Sequence, residues 1–520
     1  MKELIIDDIT LAPDKPDEIL SMMIRDRAGC EISSYRIIRR SLDARHKDRI
    51  VYRYRVAISV DDDTAQKLIL SHNLKEFTEM SFPDPVYKKR TDHVVIAGTG
   101  PAGLFAALRL LEGGCPVILL ERGKPVDERM ADIDLLEKNG ILDPDSNVLF
   151  GEGGAGTYSD GKLTTRTHRS ENNWFYKKLV EHGAPPGILY ETRPHLGTDR
   201  LRAIMRSIRE KIISLEGEIR FRETLSDLVI HDDNIVSVRT SSSEFATKKL
   251  ILATGHSARD VYGLLARHNV ALQSKGFAVG IRAEHPADLI NDIQYGQSRF
   301  KNILPAAEYH LAHTCASGRG VYSFCMCPGG RVINSSSEQG MLCTNGMSFS
   351  ARDLPMSNAA IVVSIHPEDT GNTPFGGIEF QRRLESAAYS AGGGDFFSPA
   401  QRISSFLAAK LDLNLPQTSY LPGVVPFAMH TMLPEHIVKD LQEGLRRFNR
   451  IMPGFLSEKG ILIGIETRTS SPVRIVRNES FQSVSVKGLF PAGEGAGYAG
   501  GIVSSAVDGI RIADAILAMD

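Results

Sequence analysis

The stretch from Val94 to Gly123, VVIAGTGPAGLFAALRLLEGGCPVILLERG, leaves few folds open to this chain. Apolar residues that read as a strand lead into three glycines at GxGxxG spacing; an apolar helical run follows, and a second strand ends on an acid. Gly98 permits the tight turn, Gly100 lets the main chain approach a pyrophosphate, and Gly103 lets helix and strand pack closely. Pro101 and Ala102 open the helix, whose unpaired N–H groups and dipole favour an anion. Glu121, 23 positions after Gly98 and followed by Arg122, is placed to accept hydrogen bonds from adenosine ribose hydroxyls. A bare GxGxxG is a weak signal. With the flanking strand, helix and terminal acid it predicts a dinucleotide-binding unit in a parallel sheet.

FAD and NAD share that unit, so the choice between them needs a second site. Val486–Ala513, VKGLFPAGEGAGYAGGIVSSAVDGIRIA, supplies one: a strand, Gly493, an acid at Glu494, and a helix starting near Gly497–Gly501 and running through Ile502. In this arrangement Glu494 binds a ribityl chain. The helix N-terminus points at the flavin N1–C2=O edge, where negative charge accumulates on reduction.

With these two sites the sequence resembles the FAD-dependent oxidoreductase superfamily, although the remote motif that usually reads GD reads GE here, an acid one methylene longer. More narrowly, the chain resembles a bacterial family of predicted FAD-dependent dehydrogenases with a small N-terminal domain. That likeness is carried by LFGEGGAGTYSDGKLTTR (Leu149–Arg166), YSFCMCPGG (Tyr322–Gly330), ETRTSSPVRI (Glu466–Ile475) and the C-terminal glycine-rich motif. It implies FAD as cofactor. In the first of these stretches Gly153, Gly154, Gly156, Thr157 and Ser159 are expected to lay amides and hydroxyls against the pyrophosphate and flavin. Thr254 and Gly255, in LILATGHSAR, resemble the ATG turn that lies near the cofactor in related flavoproteins; His256 beside them is either a ligand contact or a structural histidine. No second complete dinucleotide fold is visible, so NAD(P)H, if it is the electron donor, docks face-on at the flavin.

Candidates for the chemistry lie elsewhere. Arg468 and Arg474 lie in a hydroxyl-rich segment and either bind a carboxylate substrate, stabilise anionic flavin, or pair with a structural acid such as Glu466. His430 and His366 are candidate proton donors. Cys325 and Cys327 fall in a strand, where period-two geometry puts both on one face. Three readings stand for them: a zinc set with His313 and Cys315, a thiol redox role beside the flavin, or apolar packing. No metal is assigned.

The expected fold class is α/β: a Rossmann-like FAD-binding domain with an inserted α+β substrate domain, preceded by a ferredoxin-like α+β domain. The expected boundaries are 1–90 for the N-terminal domain and its solvated linker, 91–271 for the first part of the FAD domain, 272–455 for the insert and 456–520 for the closing part. The β-α-β-β-α-β order of the first ninety residues carries the N-terminal assignment. Its Ser34–Val60 hairpin holds eight basic residues, so RNA contact is weighed against a solvated or interdomain face. The chain as a whole, with 61 Lys and Arg against 63 Asp and Glu, lacks the footprint of a dedicated nucleic-acid binder. Six cysteines in 520 residues, no signal-peptide pattern at the start and no apolar run of membrane-spanning length point to a cytoplasmic protein acting on a small molecule.

Overall fold

The computed structural model describes residues 1–165 and 169–519. At the N-terminus, β1 (Lys2–Leu11), α1 (Glu18–Ala28), β2 (Ser34–Asp43), β3 (Val51–Val60), α2 (Asp62–His72) and β4 (Lys75–Glu76) follow in turn. The four strands form an antiparallel sheet in the order β2-β3-β1-β4. α1 stops where Gly29 turns left-handed, φ 66°. α2 starts where the Asp61 side chain accepts from the Thr64 amide. Leu4, Ile6, Val56 and Ile58 of the sheet pack on Leu20, Ile24 and Leu68 of the helices. The hairpin that reads as basic carries its own counter-charges: Arg36 pairs with Glu3 and Glu79, Arg40 with Glu191, Arg45 with Asp43, Arg53 with Asp8 and Asp43, and Arg55 with Asp7.

Ser81–Asp92, expected as a solvated linker, is largely exposed, and a few of its residues pin it to the next domain. The Arg109 guanidinium sits over the Phe82 ring at 4.5 Å, Asp84 accepts from Trp174 Nε1 at 3.0 Å, and the Lys88 and Arg90 amides donate to Gly113 and Gly114 carbonyls.

The second domain begins with β5 (Val94–Ala97), α3 (Pro101–Glu112), β6 (Val117–Glu121), α4 (Val126–Asn139), α5 (Ser170–Glu181), α6 (Gly197–Ser214) and β7 (Glu218–Phe221). A three-stranded antiparallel sheet of β8 (Leu225–His231), β9 (Asn234–Thr240) and β10 (Glu244–Ala246) precedes β11 (Leu250–Leu252) and α7 (Arg259–Arg267). The insert follows, with β12 (Leu272–Ser274), β13 (Phe277–Pro286), α8 (Ala287–Tyr295), β14 (Ala312–Thr314), β15 (Gly320–Cys327), β16 (Gly330–Asn334), β17 (Thr344–Ser348), β18 (Met356–Ile365), α9 (Gly376–Ala391), β19 (Ser398–Arg402), α10 (Ile403–Leu407), β20 (Val424–Pro426), α11 (Glu435–Ile451) and β21 (Ile461–Glu466). β22 (Val473–Ile475), β23 (Leu489–Pro491) and α12 (Ile502–Ala518) close the chain.

Two sheets face the site. The parallel one runs β23-β11-β5-β6-β7, so the last strand returns to the sheet that the first glycine-rich turn leaves. The other runs β14-β15-β18-β13-β21-β19-β20 and buries Val279, Ile281, Val321, Ile361 and Val363 in one core with Leu441, Leu445 and Phe448 of α11. β21 pairs with β13 and β19, so the boundary expected at 456 falls too early. The insert keeps the chain until past Glu466; ILIGIE is an apolar run that suits either sheet. No helix among the described residues is long and apolar enough to cross a membrane.

α12 packs directly on α3, and Gly509 is the point of closest approach: a Cβ there would stand 2.1 Å from the Ala102 carbonyl oxygen. This contact sets the two glycine-rich turns side by side. Gly509→Ala should therefore force the helices apart and lower stability by about 1–3 kcal/mol, read as a fall in melting temperature.

Candidate functional site

A cavity of about 910 Å³ opens at the carboxyl ends of β5, β6, β11 and β23 and extends to the wall formed by β15. Ligands of open parallel sheets bind at that edge. The first turn is built by contact. A Cβ on Gly98, φ 104°, would stand 2.4 Å from the Ala253 carbonyl oxygen, and one on Gly103 would stand 1.9 Å from that of Gly98. Gly100 differs, since a Cβ there would meet nothing within 4 Å; its missing side chain leaves room at the N-terminus of α3. Gly98, Gly100, Pro101 and Ala102 line the cavity.

The Leu149–Thr165 loop folds over this turn, and Arg166, the end of that stretch, lies outside the described residues. Gly154, Gly156 and Ser159 line the cavity as expected. Gly153 and Thr157 do not: the Gly153 amide donates to Thr99 O at 2.9 Å, and Thr157 Oγ1 donates to Glu152 O from behind the loop. Both shape the loop and do not face the ligand space.

Glu121 reaches the cavity with its carboxylate already engaged. Oε2 accepts from the Thr99 amide at 2.9 Å and from Thr99 Oγ1 at 2.6 Å, while Oε1 accepts from the Gly123 and Gly151 amides at 2.9 and 3.0 Å. A carboxylate has about four such acceptor positions. Glu121 therefore ties the first turn to the loop, and a ribose has to share oxygens already in use. Arg122 lines the cavity beside it, paired with Asp260 at 2.8 Å.

At the C-terminal end Gly493, Glu494, Gly501 and Ile502 line the cavity, with Thr254, Gly255 and His256 opposite. Gly497 is displaced from it, packed against Val473 O. Glu494 Oε2 accepts from the Gly501 amide at 3.2 Å, and its Oε1 lies 3.9 Å from His256 Nε2. Burial pushes the Glu494 carboxyl up to about 7, against the opposing pull of the Gly501 amide and Lys275. Burial, with the Arg468 and Arg259 charges, holds His256 down to about 3, so it is neutral at physiological pH.

The catalytic candidates separate. Arg468 lines the cavity, but its guanidinium is spent on protein: Nε and one terminal nitrogen donate to Glu385 at 3.0 and 2.9 Å, and the other donates to Ser337 Oγ at 2.7 Å. Its partner is Glu385, not Glu466, which pairs with Arg282. Arg474 lies off the cavity, over the Tyr498 ring at 5.3 Å. His430, on a short helical turn of the insert, is also away from the lining, and so is His366, whose amide donates to Asp369 Oδ2 at 2.7 Å where the turn at Pro367–Thr370 begins. Cys325 does line the cavity, whereas Cys327 is fully buried beside Arg282. The zinc set does not assemble: His313 and Cys315 meet Glu443 of α11 at the sheet edge, apart from Cys325 and Cys327. Lys162, a lining residue that sequence reasoning passed over, pairs with buried Asp160 at 3.1 Å; its signal was a charged pair inside the glycine-rich stretch.

Residues 276–469 match a family model described as FAD-dependent protein, C-terminal domain-like, and residues 4–59 match a domain of unknown function. An uncharacterized protein of Clostridium beijerinckii is 42% identical over 525 residues, covering 98% of each chain. The chain belongs to this family of FAD-dependent proteins. Solved structures give only loose likenesses: glycine oxidase of Bacillus cereus at 10% identity, 82% of this chain, 97% of that one and a TM-score of 0.32, and FrdA of E. coli quinol fumarate reductase at 12%, 83%, 70% and 0.37. At such scores they carry no weight, and the fold rests on the strand order.

The residues present fit the family's cofactor. The open space at Gly100 on the α3 N-terminus suits a pyrophosphate, and the α12 N-terminus with Glu494 stands at a second position on the same cavity. Two expected outcomes follow from the charges. Arg468→Met should cost about 3 kcal/mol of stability, because it strips buried Glu385 of one of its two arginines; thermal denaturation reads this. For Glu494, protonation favours the flavin-free folded state between about pH 4.5 and 7, so its contribution to stability falls as pH rises through that window and is lost above it. The melting temperature of flavin-free Glu494→Gln, minus that of the unmodified protein, should climb across the same window and then level off.

Proposed function

We propose that the protein is a flavin-dependent oxidoreductase in which FAD lies along the cavity and a small organic substrate enters at the β15 end. The observation that carries this reading is one continuous lining, from the Gly98–Ala102 turn past Glu494 and Gly501 to Tyr322, Ser323, Phe324 and Cys325. Bound FAD supplies hydride exchange at its N5 atom. The protein supplies position and electrostatics. Main chain at Gly100 and Gly154 and the α3 N-terminus take the pyrophosphate. The α12 N-terminus, opening at Gly501, favours negative charge at the flavin's N1–C2=O edge. Glu494, with a proton affinity near neutrality, either donates or accepts a hydrogen bond there, and neutral His256 offers one donor and one acceptor.

Both arginines of the lining, Arg122 and Arg468, are paired with carboxylates, which favours an uncharged substrate over a carboxylate held by a free guanidinium. The described residues contain one parallel sheet of dinucleotide-binding type, so NAD(P)H as donor has to reach the flavin through the substrate end. Five of the eight basic residues of the hairpin, Arg36, Arg40, Arg45, Arg53 and Arg55, are paired with carboxylates, which favours a solvated or interdomain face over RNA contact.

FAD should copurify and give the visible bands of oxidised flavin, which NADH or NADPH should bleach in the absence of oxygen. Gly100→Val should abolish FAD retention and leave the melting temperature of the flavin-free protein unchanged, since the added side chain meets only the ligand's space. A folded, colourless protein that takes up no added FAD would sink the reading.

A further inference from the structure

Cys325 and Cys327 sit at the cavity wall in a strand that is broken where they lie. In a regular strand, residues i and i+2 have Cα atoms about 6.8 Å apart with parallel side chains, at the limit of what a disulfide spans. β15 departs from that geometry. Cys325 has φ 43°, in the left-handed region that non-glycine residues rarely occupy, and the register against β18 shifts between Phe324 and Cys327. The break turns Cys325 into the cavity and leaves Cys327 Sγ donating to the Cys325 carbonyl at 3.4 Å. The expected shared face of a regular strand is thereby replaced by a local turn that folds Cys327 Sγ back against the Cys325 main chain.

Two cations hold this turn in place. Arg282, fully buried on β13, donates to Cys325 O at 2.6 Å and to Cys327 Sγ at 3.5 Å; its other bonds reach Asn358 and Glu466. Lys162 donates to the intervening Met326 carbonyl. The thiols are unequal. A hydrogen bond from Cys327, aided by Arg282 and Lys162 and opposed by burial, lowers the Cys325 thiol, while the same bond and burial push Cys327 up. The Cys325 thiol, which lines the cavity, is thus the more acidic of the two, an inequality suited to thiol–disulfide chemistry.

We infer that Cys325 and Cys327 form a reversible dithiol–disulfide pair that exchanges two electrons with the flavin. In the oxidising direction both S–H bonds are lost, an S–S bond forms between Cys325 and Cys327, and two electrons and two protons pass to oxidised FAD. The reverse direction consumes reduced flavin and restores both thiols. The proposal rests on the flavin reading above for its electron partner, and on the strand geometry for the pair itself.

The test uses the FAD-loaded full-length protein without oxygen, equilibrated in buffers from reduced dithiothreitol to oxidised glutathione and then alkylated with iodoacetamide. The tryptic peptide Gly320–Arg331 contains Cys325 and Cys327 and no other cysteine. It should pass from two alkyl groups to none, with two hydrogens lost. In Cys325→Ser and Cys327→Ser it should carry no internal disulfide at any ratio. When the reduced protein is freed of dithiothreitol, its flavin should bleach in step with disulfide formation, and Cys325→Ser should stay coloured. A peptide that keeps both alkyl groups in oxidised glutathione overturns the pair, and the masses from the unmodified protein decide this without either variant. A disulfide that forms with no bleaching overturns the exchange with flavin and leaves the flavin reading standing; a protein that never binds FAD defeats both.

Discussion

A buried carboxylate, Glu385 on α9, lies between two guanidiniums from different parts of the chain: Arg259 at the start of α7 and Arg468 just after β21. Burial alone opposes its ionisation, but the Arg468 and Arg259 charges hold it well below the usual carboxylate range. Thr467 Oγ1 adds a bond at 2.6 Å, and Gln381 bridges Arg259 Nη2 to Thr467 O. Buried charges are tolerated only when their hydrogen bonds are met, and here they are. α7 belongs to the parallel-sheet domain and α9 to the insert, so this cluster fixes the two walls of the cavity against each other. Burial, helped by the charges of these two arginines, keeps His256, next in line, neutral.

The glycine-rich turns were legible because their demands are local. Gly98 and Gly103 leave less than a Cβ's room to neighbouring main chain, a constraint that spacing alone reveals, and Gly100 opens the space a ligand needs. Partners far apart in sequence were not legible. Nothing near Arg468 singles out Glu385, 83 residues earlier, over the adjacent Glu466. The same holds for Glu121, whose placement at a strand end is correct but whose oxygens are taken by amides at Thr99, Gly123 and Gly151. An acid at that position reads as a ribose ligand until the loop that folds onto it is seen. For Cys325 and Cys327, period-two spacing gives the wrong geometry because tertiary contacts with Arg282 and β18 override the strand's alternation.

Most charges along the cavity are already matched by protein groups. Free carboxylates and free guanidiniums are scarce along the wall: Glu121 is capped by amides, Arg122 and Arg468 are paired, and Lys162 is matched by Asp160. What stays uncommitted are groups whose ionisation is shifted toward neutrality or held off it. Burial pushes the Glu494 carboxyl up to about 7 and keeps His256 neutral, and the Cys325 thiol is lowered by its neighbour Cys327. Such groups answer a change of charge in the ligand by moving a proton and need no rearrangement of side chains.

That division bears on how an electron-accepting ligand is accommodated here. Negative charge arriving beside Gly501 is met first by the α12 dipole, which costs no motion. On the reading proposed above it would next raise the proton affinity of Glu494, which burial already holds at about 7, and the carboxyl would take up a proton where an ordinary glutamate would stay charged. Positive charge at Arg468 cannot swing in to help, because Glu385 holds it in the wall. On that reading the cavity would compensate charge through a fixed dipole and a proton and not through either wall arginine, because Arg259 and Arg468 are held by Glu385 where they join the two walls.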